Sequence, residues 1–300
     1  MLHILDLNFK TDHAIASFLI ETSEGPVLIE SGPHSVFPQL KEGLSAHGYK
    51  PSDLKHLFLT HIHFDHAGAA WALAEAGVHV HVHPRGYKHL LSPERLYQSA
   101  QRIYGDEMES LWGLMKPIPE NLLHEVADGQ EIRVGDQTFK AIFTPGHASH
   151  HIAWQWGNNI FTGDVAGVRI GEGPVVPPCP PPDIFLEAWK DSITRLKAAK
   201  PEALYLTHFG KVKAVEQHLD KLQSILTDWA QWMKKPFDEG RKPEEITPEF
   251  QAYVDQQLRH AGLDQHGLDQ YEAANPAYMS VAGLLRYWKK REDLLAAYEG

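Results

Sequence analysis

The chain has 300 residues, 43% of them hydrophobic and 22% charged, with a formal net charge of −11. That length and balance suit one large folded unit or a unit with an appendage, and the acidity argues against a nucleic-acid backbone as the default partner. A single cysteine, Cys179, excludes an internal disulfide and a cysteine-rich zinc module. No stretch approaches the roughly 18 uninterrupted apolar residues of a membrane span, and the N-terminal MLHILDLNFK has no basic segment leading into an apolar one. The expectation is a cytoplasmic protein with no membrane partner.

Along the chain, short apolar runs predict strands over 2–7, 14–21 and 27–30, with Glu24-Gly25-Pro26 as a hairpin turn. Helical spacing over 37–47 ends at Gly48. The run 54–60 predicts a buried strand, 67–76 a helix and 78–82 another strand. Residues 92–115 read as a helical insertion, with Ser92 as its N-cap and Pro93 at its first position. Strands resume at 131–134, 138–144, 152–156 and 159–162. GPVVPPCPPP, at 173–182, predicts a stiff extended loop, after which Asp183 is expected to cap a helix over 184–199. One more strand over 203–207 precedes helical patterns at 215–234, 248–261 and 280–298.

Twenty histidines are present, and their placement matters more than their number. His61, His63, Asp65 and His66 fall within the six residues HIHFDH, directly after an apolar strand. A strand-to-helix turn there lets the side chains converge. Imidazole with carboxylate suits zinc, iron or manganese rather than a soft copper(I) site. Three later signals also follow strands: Thr144-Pro-Gly-His147, Phe161-Thr-Gly-Asp164 and Leu206-Thr-His208.

Taken in that order, these pieces resemble the metallo-β-lactamase superfamily over about residues 2–213, and its glyoxalase II-like branch in particular. The resemblance implies an α/β fold, a four-layer αβ/βα sandwich with the site along one edge. It implies a catalytic domain over 1–213, with a helical insertion at about 88–123, and a C-terminal helical extension over 214–300. His61, His63 and His147 would bind one divalent metal, Asp65, His66 and His208 a second, and Asp164 would bridge them. Zinc is the first expectation for both ions, with iron or manganese as alternatives. Two metals about 3.5–4 Å apart share a water and bring its pKa from about 15.7 toward about 7, so that hydroxide is available to attack an electrophile. Asp65 would be the catalytic residue that orients the nucleophile.

The substrate-bearing segments depart from the specialised branches. After Gly163-Asp164 the chain reads VAGVRIGEGP, without the cysteine-glycine-arginine segment of glyoxalase II-like thioesterases. Residues 165–170 contain no tyrosine of the kind found in acyl-homoserine-lactone lactonases, and Ser149-His150-His151 replaces a second glycine-histidine. The expectation is therefore a hydrolase of an ester, thioester or lactone of small-molecule size. An iron-dependent redox enzyme of sulfur dioxygenase type, a phosphodiesterase and a silent metal-binding protein stay open beside it.

Other features have a plainer reading. His79, His81 and His83 alternate with valines and so share one strand face, read as a solvated or hydrogen-bonded surface, with His83 the member best placed for a pocket. His150 or His151 is expected to orient a ligand or touch substrate. Arg169 is read as a surface ion pair ahead of a contact to an anionic substrate group, Cys179 as structural, and Tyr97, Tyr104, Trp112 and Met115 as packing within the insertion ahead of lining an apolar pocket. Trp229, Trp232, Tyr253, Tyr278, Tyr287 and Trp288 are expected to pack the tail onto the main domain or to form a homodimer contact, with one or two reaching the site.

Overall fold

Alternation of apolar residues along the strands sets two faces for each sheet. In the computed structural model, which describes residues 1–299, the first sheet holds β1 (Leu2–Asp6), β2 (Ala16–Ile20), β3 (Val27–Ile29), β4 (His56–Phe58), β5 (His79–Val82) and β6 (Leu123–Glu125) in chain order. β1 to β3 form an antiparallel meander, and β3 to β6 run parallel. Helices make the parallel crossovers: α1 (Phe37–Ala46), then α2 (Phe64–Ala67) with α3 (Ala70–Glu75), then α4 (Pro84–Leu91), α5 (Glu94–Tyr104) and α6 (Met108–Trp112).

The second sheet comprises β7 (Glu131–Val134), β8 (Gln137–Phe143), β9 (Ile152–Trp156), β10 (Asn159–Gly163), β11 (Ala203–Leu206) and β12 (Gly210–Val212), in the order β12-β11-β10-β9-β8-β7. It is antiparallel except between β10 and β11, which α7 (Leu186–Ala198) connects. Phe18, Ile29 and Phe58 of the first sheet meet Phe139, Trp154 and Phe161 of the second. On the outer faces, Leu19, Leu28 and Leu57 pack under α1 and α3, while Ala153, Ile160 and Leu204 pack with Trp189 of α7. Helix, sheet, sheet and helix give the expected four-layer sandwich.

α8 (Val215–Asp238), α9 (Pro243–His260), α10 (Gln265–Ala274) and α11 (Ala277–Glu299) add to the outer layer of the second sheet. Trp229, Phe250, Tyr271 and Tyr287 enter the same core cluster as Trp189, so apolar burial holds the tail against the main body. No helix among the described residues is long and apolar enough to cross a membrane.

Several expected boundaries shift for local reasons. Pro84 starts α4 early, with His83 accepting a hydrogen bond from the Arg85 amide at 3.1 Å, so Ser92 ends that helix instead of capping the next one. Pro93 then becomes the N-cap of α5. Asp183 caps nothing: α7 begins at Leu186, and the Asp183 carboxylate instead accepts from the amide and hydroxyl of Ser149 at 3.2 and 2.6 Å. The helix expected over 67–76 is two short ones, α2 and α3, and the tail carries α10, a helix the pattern does not suggest.

The alternating histidines form a hydrogen-bonded face. His56 Nδ1 lies 2.8 Å from His81 Nε2, and His79 Nδ1 lies 2.8 Å from His124 Nε2. His83, the favoured pocket residue, packs on Phe143 with ring centres 4.1 Å apart and is used as a helix cap. Burial, reinforced by neighbouring imidazoles, lowers His56 to about 4 and holds His81 well below the usual imidazole range. Unfolded imidazoles titrate near about 6.5, so below that pH the unfolded chain binds more protons than the folded one. This contribution is complete above pH about 6.5 and is lost as pH falls toward about 4. Denaturant unfolding at fixed zinc should therefore show stability falling between those pH values, with a shallower fall in His81→Asn. An identical slope in the variant would assign the effect to other groups.

Candidate metal centre

Five strands deliver polar residues to one edge of the sandwich. β3 leads into Glu30, β4 into His61 to His66, β8 into His147, β10 into Asp164 and β11 into His208. The sheets are stitched together at this edge, with the Ile152 amide donating to the Thr60 carbonyl at 2.7 Å and the Ala16 amide to the Thr207 carbonyl at 2.8 Å. Gly163 sits at φ +49, and a Cβ there would lie 2.4 Å from the Thr60 hydroxyl oxygen, so only glycine lets β10 approach so closely.

All seven expected residues converge. The His61, His63, His147 and Asp164 donor atoms lie within 4.8 Å of one another, as do those of Asp65, His66 and His208. Asp164 stands between the two groups. One of its oxygens is 3.2 Å from His147 Nε2, and the other is 3.2 Å from His66 Nε2 and 3.3 Å from His208 Nε2. His66 Nε2, His208 Nε2 and Asp164 Oδ1 are buried without a hydrogen-bond partner among the described residues. Buried polar atoms are normally satisfied, and orphaned donors aimed at a common point fit a cation of the zinc, iron or manganese kind.

The far side of four of the five rings is fixed. His147 Nδ1 donates to the Pro178 carbonyl at 2.9 Å, His208 Nδ1 to the Ala14 carbonyl at 2.6 Å and His66 Nδ1 to the Glu30 carboxylate at 2.8 Å. The Thr60 hydroxyl gives its proton to Glu30, which leaves its oxygen to accept from His61 Nδ1 at 3.0 Å. Each of these four tautomers thereby turns Nε2 toward the centre. His151 accepts from the Asp164 amide at 3.2 Å while its other nitrogen meets Thr144 Oγ1 at 2.8 Å, so it positions the central carboxylate.

Charge is tightly balanced. Burial opposes ionisation of Asp164, yet His66, His147 and His208 hold it well below the usual carboxylate range. Burial opposes ionisation of Asp65 as well, but His66 and His208 face it and it drops to about 2. Burial alone would depress His66 and His208, but surrounding carboxylates outweigh it and raise His66 well above the imidazole range and His208 to about 9. His61 and His63 lie on the other side of the balance, lowered chiefly by burial, His63 to about 4. The centre thus calls for positive charge, which protons or metal cations can supply.

Glu30 and Thr60 belong to the centre although neither carries a motif, and the sequence pattern marks Glu30 only as a strand end. The one available signal is a carboxylate closing an otherwise apolar strand. Arg169 does make the expected surface pair, with Glu172 at 3.4 Å, and also donates to the Gly173 carbonyl at 3.1 Å. His150 faces His63 with ring centres 5.7 Å apart, and its Nδ1 is buried without a partner among the described residues. Cys179 is buried, and burial pushes its thiol up, in line with a structural role. Above the centre lies a cavity of about 170 Å³ bounded by His63, Asp65 and Asp164 together with apolar residues. Tyr104 and Trp112 of the insertion and Tyr278 of the tail line it.

A two-sheet sandwich with a histidine-aspartate centre on its edge defines a scaffold built to hold metal ions. The family comparison agrees: residues 11–208 match the Metallo-beta-lactamase superfamily, and the chain belongs to it. The chain is 32% identical over 177 residues to the metallo-beta-lactamase fold-containing protein ST1585 of Sulfurisphaera tokodaii, covering 57% of this chain and 67% of that one. It is 28% identical over 158 residues to an N-acyl homoserine lactonase of Bacillus cereus, covering 45% of this chain and only 54% of the relative. An atrochrysone carboxyl ACP thioesterase of Aspergillus fumigatus is 25% identical over 170 residues, covering 56% of this chain and 31% of the relative. Among solved structures, a metallo-beta-lactamase family protein of Thermus thermophilus shares the fold at TM-score 0.69 and 18% identity, over 97% of this chain and 94% of that one.

Glu30 also lies close enough to His61 and His66 to form a third donor group. Its oxygens are already taken by the Thr60 amide and hydroxyl, His66 and the Thr207 hydroxyl, which assigns it an orienting role. Glu30→Gln replaces an acceptor oxygen by a donor, and metal affinity should fall about 10–100-fold. Chelator competition measures this, and an unchanged affinity would refute the orienting role.

Proposed function

We propose that the protein is a dinuclear-metal hydrolase, closest in type to the glyoxalase II-like and lactonase-like enzymes, acting on an ester, thioester or lactone carbonyl. The observation that carries this reading is Asp164, one carboxylate with an oxygen turned to each of two donor groups. His61, His63 and His147 would hold one ion, Asp65, His66 and His208 the other, with zinc the first candidate for both. When bound, such ions supply an activated water at neutral pH and a Lewis acid for the substrate oxygen.

The chain's own residues then have defined tasks. The outer partners Thr60, Glu30, Pro178 and Ala14 keep the imidazoles aimed inward, and His151 keeps Asp164 between them. The Asp65 carboxylate is one-fifth exposed and lines the cavity, so it can orient the attacking water there. Water adds its oxygen to the carbonyl carbon, the carbon–oxygen or carbon–sulfur bond breaks, and one water proton leaves with the alcohol or thiol. The second proton goes to solvent as the carboxylate forms. Relatives named as a lactonase and a thioesterase support carbonyl chemistry, and the mostly apolar cavity argues against a polyanionic substrate.

Elemental analysis of the purified chain is expected to find two zinc per chain, with turnover in a panel of esters, thioesters, lactones and phosphodiesters. His147→Ala should remove one metal equivalent and lower turnover by more than the about 100-fold that losing an orienting partner costs. Full metal content and activity in that variant would refute the assignment. One iron per chain with oxygen uptake would replace the hydrolytic reading by a redox one.

A further inference from the structure

The walls of the cavity come from segments remote from the metal centre in sequence. Phe9 and Ile15 line it from the N-terminal loop, Ala100 and Trp112 from the insertion, Pro276 from the turn between α10 and α11, and Met279 from the start of α11. Lys10 is the only lysine or arginine among the described lining residues, so the walls offer no clamp for an anionic group. A binding site of this kind orients its ligand through a few polar groups set in apolar surface. Asn275 is already committed, donating to the Pro177 carbonyl at 3.2 Å and accepting from the Ser280 hydroxyl at 3.1 Å.

Tyr104 is different. It closes α5, packs edge-on against Trp112 with ring centres 5.3 Å apart, and is partly buried. Its hydroxyl meets the weakly accepting Met279 thioether at 3.9 Å and also faces the hydroxyl of Tyr278, neutral partners that a stronger acceptor in the cavity can displace. Burial, with Tyr278 and the Asp65 carboxylate nearby, pushes the phenol above its usual range and keeps it a donor at neutral pH.

Building on the hydrolytic reading, we propose that the cavity takes an uncharged acyl compound, its apolar chain against the insertion and tail, with the Tyr104 hydroxyl donating a hydrogen bond to an oxygen of the reacting group. Tyr104 thus fills the role of a polar anchor that the segment after Asp164 does not supply. The insertion and the tail act together as the specificity element of the site.

The test uses the zinc-loaded full chain with p-nitrophenyl acetate, butyrate and hexanoate, and with an S-acyl glutathione as the anionic alternative. In the wild type, kcat/KM should rise at least about tenfold from acetate to hexanoate as methylenes are buried. The hexanoate ester should also be preferred over the glutathione thioester. Tyr104→Phe should lower kcat/KM about 10–100-fold by the same factor for every chain length, with metal content and melting temperature unchanged. A penalty that grows with chain length would mark Tyr104 as wall alone, and no penalty would remove it from the site; either overturns the donor role. A preference for acetate or for the anionic thioester overturns the substrate class while leaving the hydrolase reading intact. A wild type that turns over no carbonyl compound brings down the hydrolase reading itself and this inference with it.

Discussion

Glu30 is the residue on which the arrangement of the centre depends. Its buried carboxylate accepts from the Thr60 amide, the Thr60 and Thr207 hydroxyls and His66 Nδ1, and through Thr60 it also sets the tautomer of His61. One carboxylate thus orients an imidazole in each of the two donor groups, so the groups are held in register. A buried carboxylate without such partners would be costly. Here the cost is offset by donors that follow β4 and β11, one on each sheet, and the same bonds tie the two sheets together at the site. Glu30 itself adopts φ +64, an uncommon conformation for a residue with a side chain, which the surrounding bonds hold in place.

That constraint also explains the geometry of the edge. Strands β3, β4, β8, β10 and β11 all end there, and the sharp turns after them put short polar side chains within a few ångströms of one another. Gly163 permits the approach of β10 to β4, and His151 anchors the chain directly after it. Apolar packing of Phe58, Phe139, Trp154 and Phe161 between the sheets supplies the rigid support for that precision.

Much of this is legible in the sequence because the chemistry is written in residue type and in position after a strand. HIHFDH, Gly-His147, Gly-Asp164 and Thr-His208 each carry their donors at a strand end, and the sandwich is what the family resemblance carried by those motifs implies. Glu30 is not legible, since an acidic residue after three apolar ones looks the same whether it meets solvent or a buried imidazole. Ser92 and Asp183 mislead for a related reason: both are good capping residues, but Pro84 starts a helix that consumes the first, and Ser149 recruits the second across 34 residues. The alternating histidines are readable as one face of a strand, whereas their pairing with His56 and His124 depends on the register of β4, β5 and β6.

The walls of the cavity obey a different logic from the histidine-aspartate centre beneath them. The family match covers residues 11–208. The centre falls inside that shared region, while Pro276, Tyr278 and Met279 of the cavity wall fall outside it. A centre in which four imidazoles are fixed at their outer nitrogens, two by backbone carbonyls and two by buried side chains, tolerates little change. A wall assembled from an insertion, a proline-rich loop and a helical tail has no such constraint beyond packing. Selectivity can therefore change by substitution in α5, α6 and the turn before α11 without disturbing the donors beneath. On the proposed reading, substrate identity in this chain therefore rests with residues that lie apart from the histidine-aspartate motifs.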